Sequence, residues 1–192
     1  MVTTGIVNMS SLDIRENRTV TNYSKLEILY RILWGIGKLF FRFSPRILFK
    51  WRVIVLRCFG AKIGKNVNIY NTAKIYFPWN LEVGDWACIG EDVFIYNLGK
   101  ISIGNRSTVS HRAHLCAGTH DYQDISLPLI KQGIVVKDQV WICADAFISP
   151  GVNIGTGAIV GARSMVNKDV NDWDIVLGNP AIFIKKRILK SK

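Results

Sequence analysis

The chain contains no long apolar run. Its most hydrophobic stretch, residues 25–59, is broken by Arg31, Lys38 and Arg42, so no segment of about 20 apolar residues is available to span a bilayer. Cysteine is sparse. Cys58, Cys88, Cys116 and Cys143 stand far apart with no CxxC pair, which argues against a zinc ribbon or a dithiol redox motif and fits free thiols in a reducing compartment. There are only 3 histidines, His111, His114 and His120, at spacings of three and six, and no metal site is expected. Acid is scarce too, with 14 Asp/Glu against 25 Lys/Arg and a net charge of +11. Such a balance invites a nucleic-acid reading. No helix-turn-helix, zinc-finger or RNA-binding signature accompanies it, so no nucleic-acid partner is expected. The N-terminus shows no apolar core flanked by a cleavage site, and the expected location is the cytoplasm.

The positive charge sits at the two ends. Residues 1–60 hold ten Lys/Arg against three Asp/Glu, residues 61–184 hold ten against eleven, and residues 185–192 hold five with no acid. The middle of the chain is therefore near neutral. It is also where the pattern lies.

Between Ile63 and Val170 an aliphatic residue recurs every sixth position. One register runs Ile63, Ile69, Ile75, Leu81; a second Val83, Ile89, Ile95, Ile101; a third Ile103, Val109, Leu115; a fourth Val136, Ile142, Ile148, Ile154, Val160, Val166. Glycine often follows, as at Gly64, Gly84, Gly90, Gly104, Gly155 and Gly161. Four residues after the aliphatic the side chain is usually small, as at Ala73, Ala87, Ser107, Ala113, Ala146, Ala158 and Ser164. Six matches neither the helical period nor that of a strand. It suits a three-sided solenoid in which about eighteen residues make one coil, the aliphatic points inward and the glycine eases a corner of unusual φ. Two-residue slips at Leu81-Glu82 and Ile101-Ser102 read as longer corners.

Outside the prism three segments stand apart. Residues 1–60 form an N-terminal region: a polar lead-in to about residue 22, then two amphipathic helices over 25–59, the second starting at Ser44-Pro45. These basic, aromatic helices either cap the open end of the solenoid or lie in a membrane interface, and the two roles are compatible. The period breaks after His120, and residues 121–135 read as a loop ejected from the 61–177 solenoid. Gly178-Asn179-Pro180-Ala181 is a breaker before a basic tail, 178–192.

The hexapeptide units, the excursion after Gly118-Thr119-His120-Asp121, the Val140-Trp141-Ile142 that resumes the coil and the closing Gly178-Asn179-Pro180-Ala181 resemble a hexapeptide-repeat acyltransferase. The entry Phe59 to Gly64, Phe77 to Leu81 and Leu115 to Tyr122 are most similar to the colanic acid biosynthesis acetyltransferase group. The resemblance implies a mainly β fold, a left-handed parallel β-helix with a helical N-terminal region and a short tail. It also implies a homotrimer with its site between adjacent prisms, and O-acetyl transfer from acetyl-CoA to a saccharide hydroxyl in exopolysaccharide or capsule assembly. An acceptor that is lipid-linked would explain membrane proximity at the inner face of the cytoplasmic membrane. The competing reading is a catalytically silent trimeric scaffold that docks on membrane or on a glycosyltransferase complex.

A sugar hydroxyl is a poor nucleophile until its proton is taken, and a neutral imidazole suits that task. His120, where the loop leaves, is the expected general base. Asp121 and Tyr122 are candidates to orient it or contact sugar hydroxyls, or else to pin the loop, and Asn97 is a candidate donor to the oxyanion. By resemblance, Trp141, Ala144, Ala162, Asn167 and Lys168 border the coenzyme A channel, and Lys168 and Lys185 could pair with its phosphates. Cys143 stands where a glycine is usual after Trp-Ile, and Ile182 where some members carry arginine.

Overall fold

The structure, a computed structural model, describes residues 14–20 and 23–190. Most of the polar lead-in, residues 1–13 with 21 and 22, lies outside the described residues. Three helices come first: α1 (Ile14–Thr19), α2 (Lys25–Arg42) and α3 (Phe49–Cys58).

The prism follows. Its first coil is β1 (Lys62–Ile63), β2 (Asn68–Ile69) and β3 (Lys74–Ile75); its second is β4 (Leu81–Val83), β5 (Cys88–Ile89) and β6 (Phe94–Tyr96). The third is β7 (Ile101–Ile103), β8 (Thr108–Val109) and β9 (His114–Cys116). The chain then departs through an antiparallel hairpin, β10 (Thr119–His120) and β11 (Leu129–Ile130). It returns as a fourth coil, β12 (Ile134–Val136), β13 (Trp141–Ile142) and β14 (Phe147–Ile148), and a fifth, β15 (Asn153–Ile154), β16 (Ile159–Val160) and β17 (Met165–Val166). A sixth, partial coil bridges Val170 to Ile154 and ends in β18 (Asp174–Gly178), against which β19 (Ala181–Lys186) folds back antiparallel.

Stacking gives three sheets. Face A is β1-β4-β7-β12-β15, face B is β2-β5-β8-β13-β16-β18-β19 and face C is β3-β6-β9-β14-β17, with parallel pairing between successive coils. On face A, Ile63, Val83, Ile103, Val136 and Ile154 stand in register, and all are buried. The strands of the five full coils are two or three residues long, too short to be stable alone. Each buried aliphatic contributes about 1.5–3 kcal/mol, so the internal ladders hold the coils together.

The corners differ from expectation. The left-handed residue lies three after the inward aliphatic: Asn66, Trp86, Arg106 and Gln139 between faces A and B, and Asp92, Arg112, Asp145 and Arg163 between B and C, all with φ of 55–60°. Their amides offset the strain by bonding to the coil before, as Arg106 N–H does to Asp85 O at 2.8 Å and Gln139 N–H to Asn105 O at 2.8 Å. The glycines directly after the aliphatics serve close stacking instead. A methyl group at Gly84 would stand 2.7 Å from the backbone nitrogen of Asn105 in the next coil.

At the open end of the first coil three side chains from the helices satisfy one carbonyl on each face. Arg57 Nε donates to Ile63 O (3.0 Å), Arg52 Nε to Ile69 O (2.6 Å) and Trp34 Nε1 to Ile75 O (3.1 Å). Those oxygens have no earlier coil to pair with. The helices are therefore a cap, held by Trp34, Phe41, Val53 and Leu56, which join the prism's core.

Three boundaries shift. The second long helix starts at Phe49, because Ser44 Oγ donates to Phe41 O and accepts from Arg52 Nη1, closing α2 rather than opening α3. The loop rejoins face A at Ile134, which pairs with Ile101, so Ile134 and Val135 belong to the fourth coil. The expected tail is instead a strand: β19 covers the edge of β18, Lys186 Nζ reaches Asp174 at 2.6 Å, and Arg187 Nη1 donates to Gln139 O at 2.9 Å and Gly157 O at 3.0 Å.

Candidate active site

The excursion is a built loop. Asp124 Oδ1 accepts from Ser126 N and Oγ at 2.8 Å each, and Leu127 N–H bonds Asp124 O at 3.0 Å. Leu127 takes a left-handed φ of 47°. That turn aims the Leu127 carbonyl at His120, whose Nδ1 lies 2.7 Å from it. A carbonyl only accepts, so Nδ1 is the donor, and in the neutral form of the ring the lone pair is on Nε2. The imidazole is exposed, at the foot of the hairpin. Asn17 Nδ2 of α1 donates to the same carbonyl at 2.5 Å, tying the N-terminal region to the loop. The arrangement orients the ring and turns its Nε2 away from the Leu127 carbonyl.

Asp121 holds the loop. Its Oδ1 accepts Gln123 N–H at 3.0 Å, and its own N–H bonds Pro128 O at 3.0 Å. Tyr122 is 82% exposed. Asn97 is fully buried, with Oδ1 accepting Phe77 N–H at 2.9 Å and Nδ2 donating to Phe77 O at 2.5 Å. It sits one coil below His120 on the edge between faces C and A. Asn167 and Lys168 are exposed on that same edge, two coils above.

The other candidates lie elsewhere. Trp141 stands outward on face B, half-exposed, its Nε1 donating to Ser110 Oγ at 2.9 Å. Ala144 and Ala162 occupy the corner between B and C in successive coils, stitched by Arg163 N–H to Ala144 O at 2.9 Å. Beside them Arg112 grips Asp145 with two bonds, 2.7 and 3.0 Å, and this guanidinium holds the Asp145 carboxyl below its usual range. Lys185 lies on the outermost strand of face B. His120 and the Trp141–Ala162 group thus occupy different edges of one prism, with face C between them.

The remaining histidines are placed apart. His111 is exposed at a corner. His114 is stacked on Phe94 (4.6 Å between centroids) and edge-on to Phe147 (4.9 Å), and burial pushes its pKa below the ordinary value. Among the described residues no group of three His, Cys, Asp or Glu side chains is gathered as a metal site would need. The Leu127 carbonyl, Asn17 and Ser110 were not legible as site residues, since a backbone acceptor has no side-chain signature and the Asn17 contact spans 110 positions.

No family model matches the chain. Individual proteins do. The colanic acid biosynthesis acetyltransferase WcaF of Escherichia coli K12 is 42% identical over 161 residues, 84% of this chain and 88% of that protein. A hexapeptide-repeat acetyltransferase of Vibrio cholerae, solved with acetyl coenzyme A, superposes with a TM-score of 0.79 at 25% identity, covering 86% of this chain and 91% of that one. The chain belongs to the hexapeptide-repeat acetyltransferase family. A maltose O-acetyltransferase of Clostridium difficile superposes on this hexapeptide-repeat acetyltransferase with a TM-score of 0.78 at 25% identity, over 85% of this chain and 89% of the other. The expected β-solenoid architecture and enzyme class therefore stand.

Proposed function

We propose that the protein transfers an acetyl group from acetyl-CoA to a hydroxyl of a saccharide in exopolysaccharide assembly, with His120 as general base. The observation that carries this reading is the Nδ1–Leu127 carbonyl bond, which selects the neutral tautomer whose lone pair is on Nε2. As the sugar oxygen bonds to the thioester carbonyl carbon, Nε2 takes the hydroxyl proton. As the carbon–sulfur bond breaks, the same proton passes to the departing thiolate, and the imidazole returns to its starting tautomer. The names of the bacterial relatives support a sugar acceptor and an acetyl donor.

The donor suits the corner between faces B and C. Ala144 and Ala162 keep that edge low enough for a pantetheine arm to approach backbone, Trp141 offers an exposed ring beside it, and Lys185 on face B supplies a cation for phosphate, while Lys168 stands on the His120 edge and would face the donor of a neighbouring chain. Because His120 stands on another edge, a site uniting both groups needs two chains side by side. A homotrimer of prisms provides three such clefts. The reading places the enzyme in the cytoplasm, at the inner face of the membrane.

The test is His120→Ala and His120→Gln, assayed by thiol release from acetyl-CoA with an oligosaccharide acceptor. The expected loss in kcat is about 10²–10⁴-fold with the thermal midpoint retained. Turnover equal to the parent chain would remove His120 as the base.

A further inference from the structure

Helix α2 is amphipathic in the wrong sense for a water-facing cap. Its inward stripe holds Trp34, Gly37 and Phe41 together with the half-buried Glu27 and Arg31. Arg31 lies over the Tyr23 ring, and Lys38 over that of Tyr76. The outward half instead carries Leu29, Ile32, Ile36, Leu39, Phe40 and Phe43, exposed by 51, 62, 55, 56, 59 and 81%. An 18-residue helix is about 27 Å long, so this is a full-length apolar stripe. The patch continues onto α3. Trp51 Nε1 donates to Phe40 O at 3.0 Å, which joins the helices edge to edge, and Trp51 and Ile54 are half-exposed beside Ile47, 82% exposed. Single exposed apolar residues are ordinary, but a contiguous patch of this extent marks a contact surface.

We infer that the outer face of α2 and α3 docks on an anionic lipid bilayer, lying flat in the headgroup boundary. Charge selects this occupant. Lys25 at one end of the stripe and Lys50 at the other flank the patch, Arg46 is shared with Glu91 at 3.4 Å, and the one acid of α2, Glu27, turns inward. A second copy placed face to face would oppose these cations to themselves, whereas anionic headgroups complement them. The patch also offers no hydrogen-bonding groups to set a protein register, since the Trp51 indole N–H is already used. No helix among the described residues is long and apolar enough to cross a membrane, so the contact is interfacial. This inference stands apart from the role given to His120, and its test reads no activity.

The experiment is co-sedimentation of the full chain with vesicles of phosphatidylcholine alone or with about a third phosphatidylglycerol. The chain is expected to sediment with the anionic vesicles, at least tenfold more weakly with neutral ones or at high salt. Leu29→Gln/Ile32→Gln/Ile36→Gln should lower binding at least tenfold with an unchanged thermal midpoint, because the three side chains point away from the prism. Lys25→Gln/Lys50→Gln, which changes two exposed side chains, should lower anionic binding several-fold and remove most of its salt dependence. Retention of the parent chain in the supernatant with both vesicles would overturn the inference. So would unaltered sedimentation of both variants, or a lipid-free fall in oligomeric order in the triple variant, which would assign the face to a second copy.

Discussion

Arg52 is the residue on which the cap turns. It is fully buried with no acidic partner among the described residues, and it spends its donors on neutral acceptors: Ile69 O at 2.6 Å, Ser44 Oγ at 3.0 Å, Pro45 O at 2.8 Å and Arg46 O at 2.7 Å. Burial draws its pKa down from the ordinary arginine value, yet a guanidinium keeps its proton in proteins. Charge-assisted bonds of this kind contribute about 1.5–3 kcal/mol each. Water can replace the partners at the partly buried Pro45 and Arg46 carbonyls, but not easily at Ile69 and Ser44. Arg52→Met, which keeps much of the volume and removes every donor, should therefore cost about 3–5 kcal/mol. For a chain of this size that lowers the thermal midpoint by about 6–20 °C. Scanning calorimetry at fixed protein concentration is the assay, since any oligomer adds its own concentration dependence. Arg52→Lys, with one ammonium in place of a fork, should recover no more than about half. A Met variant within about 1 kcal/mol of the parent chain would show that the end carbonyls do not need this guanidinium, and the account of the cap would fail.

Two further outcomes follow from stacking and burial. Gly84→Ala should cost about 1–3 kcal/mol in urea unfolding, because besides the Asn105 side chain the new methyl group meets the backbone of Gly104 and Asn105, which cannot swing aside. His114 is held below its ordinary pKa of 6.5 by burial, so the unfolded chain takes up a proton that the folded chain resists. The stability tied to its neutral form is whole above that value and declines as pH falls towards the folded pKa. His114→Phe keeps the aromatic stack, and the fall of its thermal midpoint below about pH 6.5 should be shallower than in the parent chain.

The six-residue aliphatic period exposed the prism because an internal ladder must repeat wherever the coil does. The small residues four positions on were legible for the same reason, and Ala87, Ala113 and Ala146 are indeed buried. The corners were misplaced, since Trp86, Arg106 and Gln139 carry no compositional mark of a left-handed φ. Glycine drew attention to the adjacent position, where the real constraint is the coil above. Arg52 and Arg57 read as interruptions of an amphipathic helix; only three dimensions bring them to the carbonyls of Ile69 and Ile63. Strand β19 was hidden behind Asn179-Pro180, a pair that signals a turn and leaves open whether the chain comes back. At the site, His120 was visible through its place in the motif, while the partner that sets its tautomer is a main-chain oxygen seven residues away.

The coil spacing also acts as a ruler. Neighbouring strands lie about 4.8 Å apart, so the two steps from the first coil to the third set His120 roughly 10 Å above the helical plate, and the plate adds roughly 10 Å of its own thickness. With that plate resting on lipid, the imidazole stands roughly 20 Å from the headgroups. A tethered glycan would then be modified only at sugars far enough from their anchor to reach that height, and adding or deleting whole coils would move the choice along the chain.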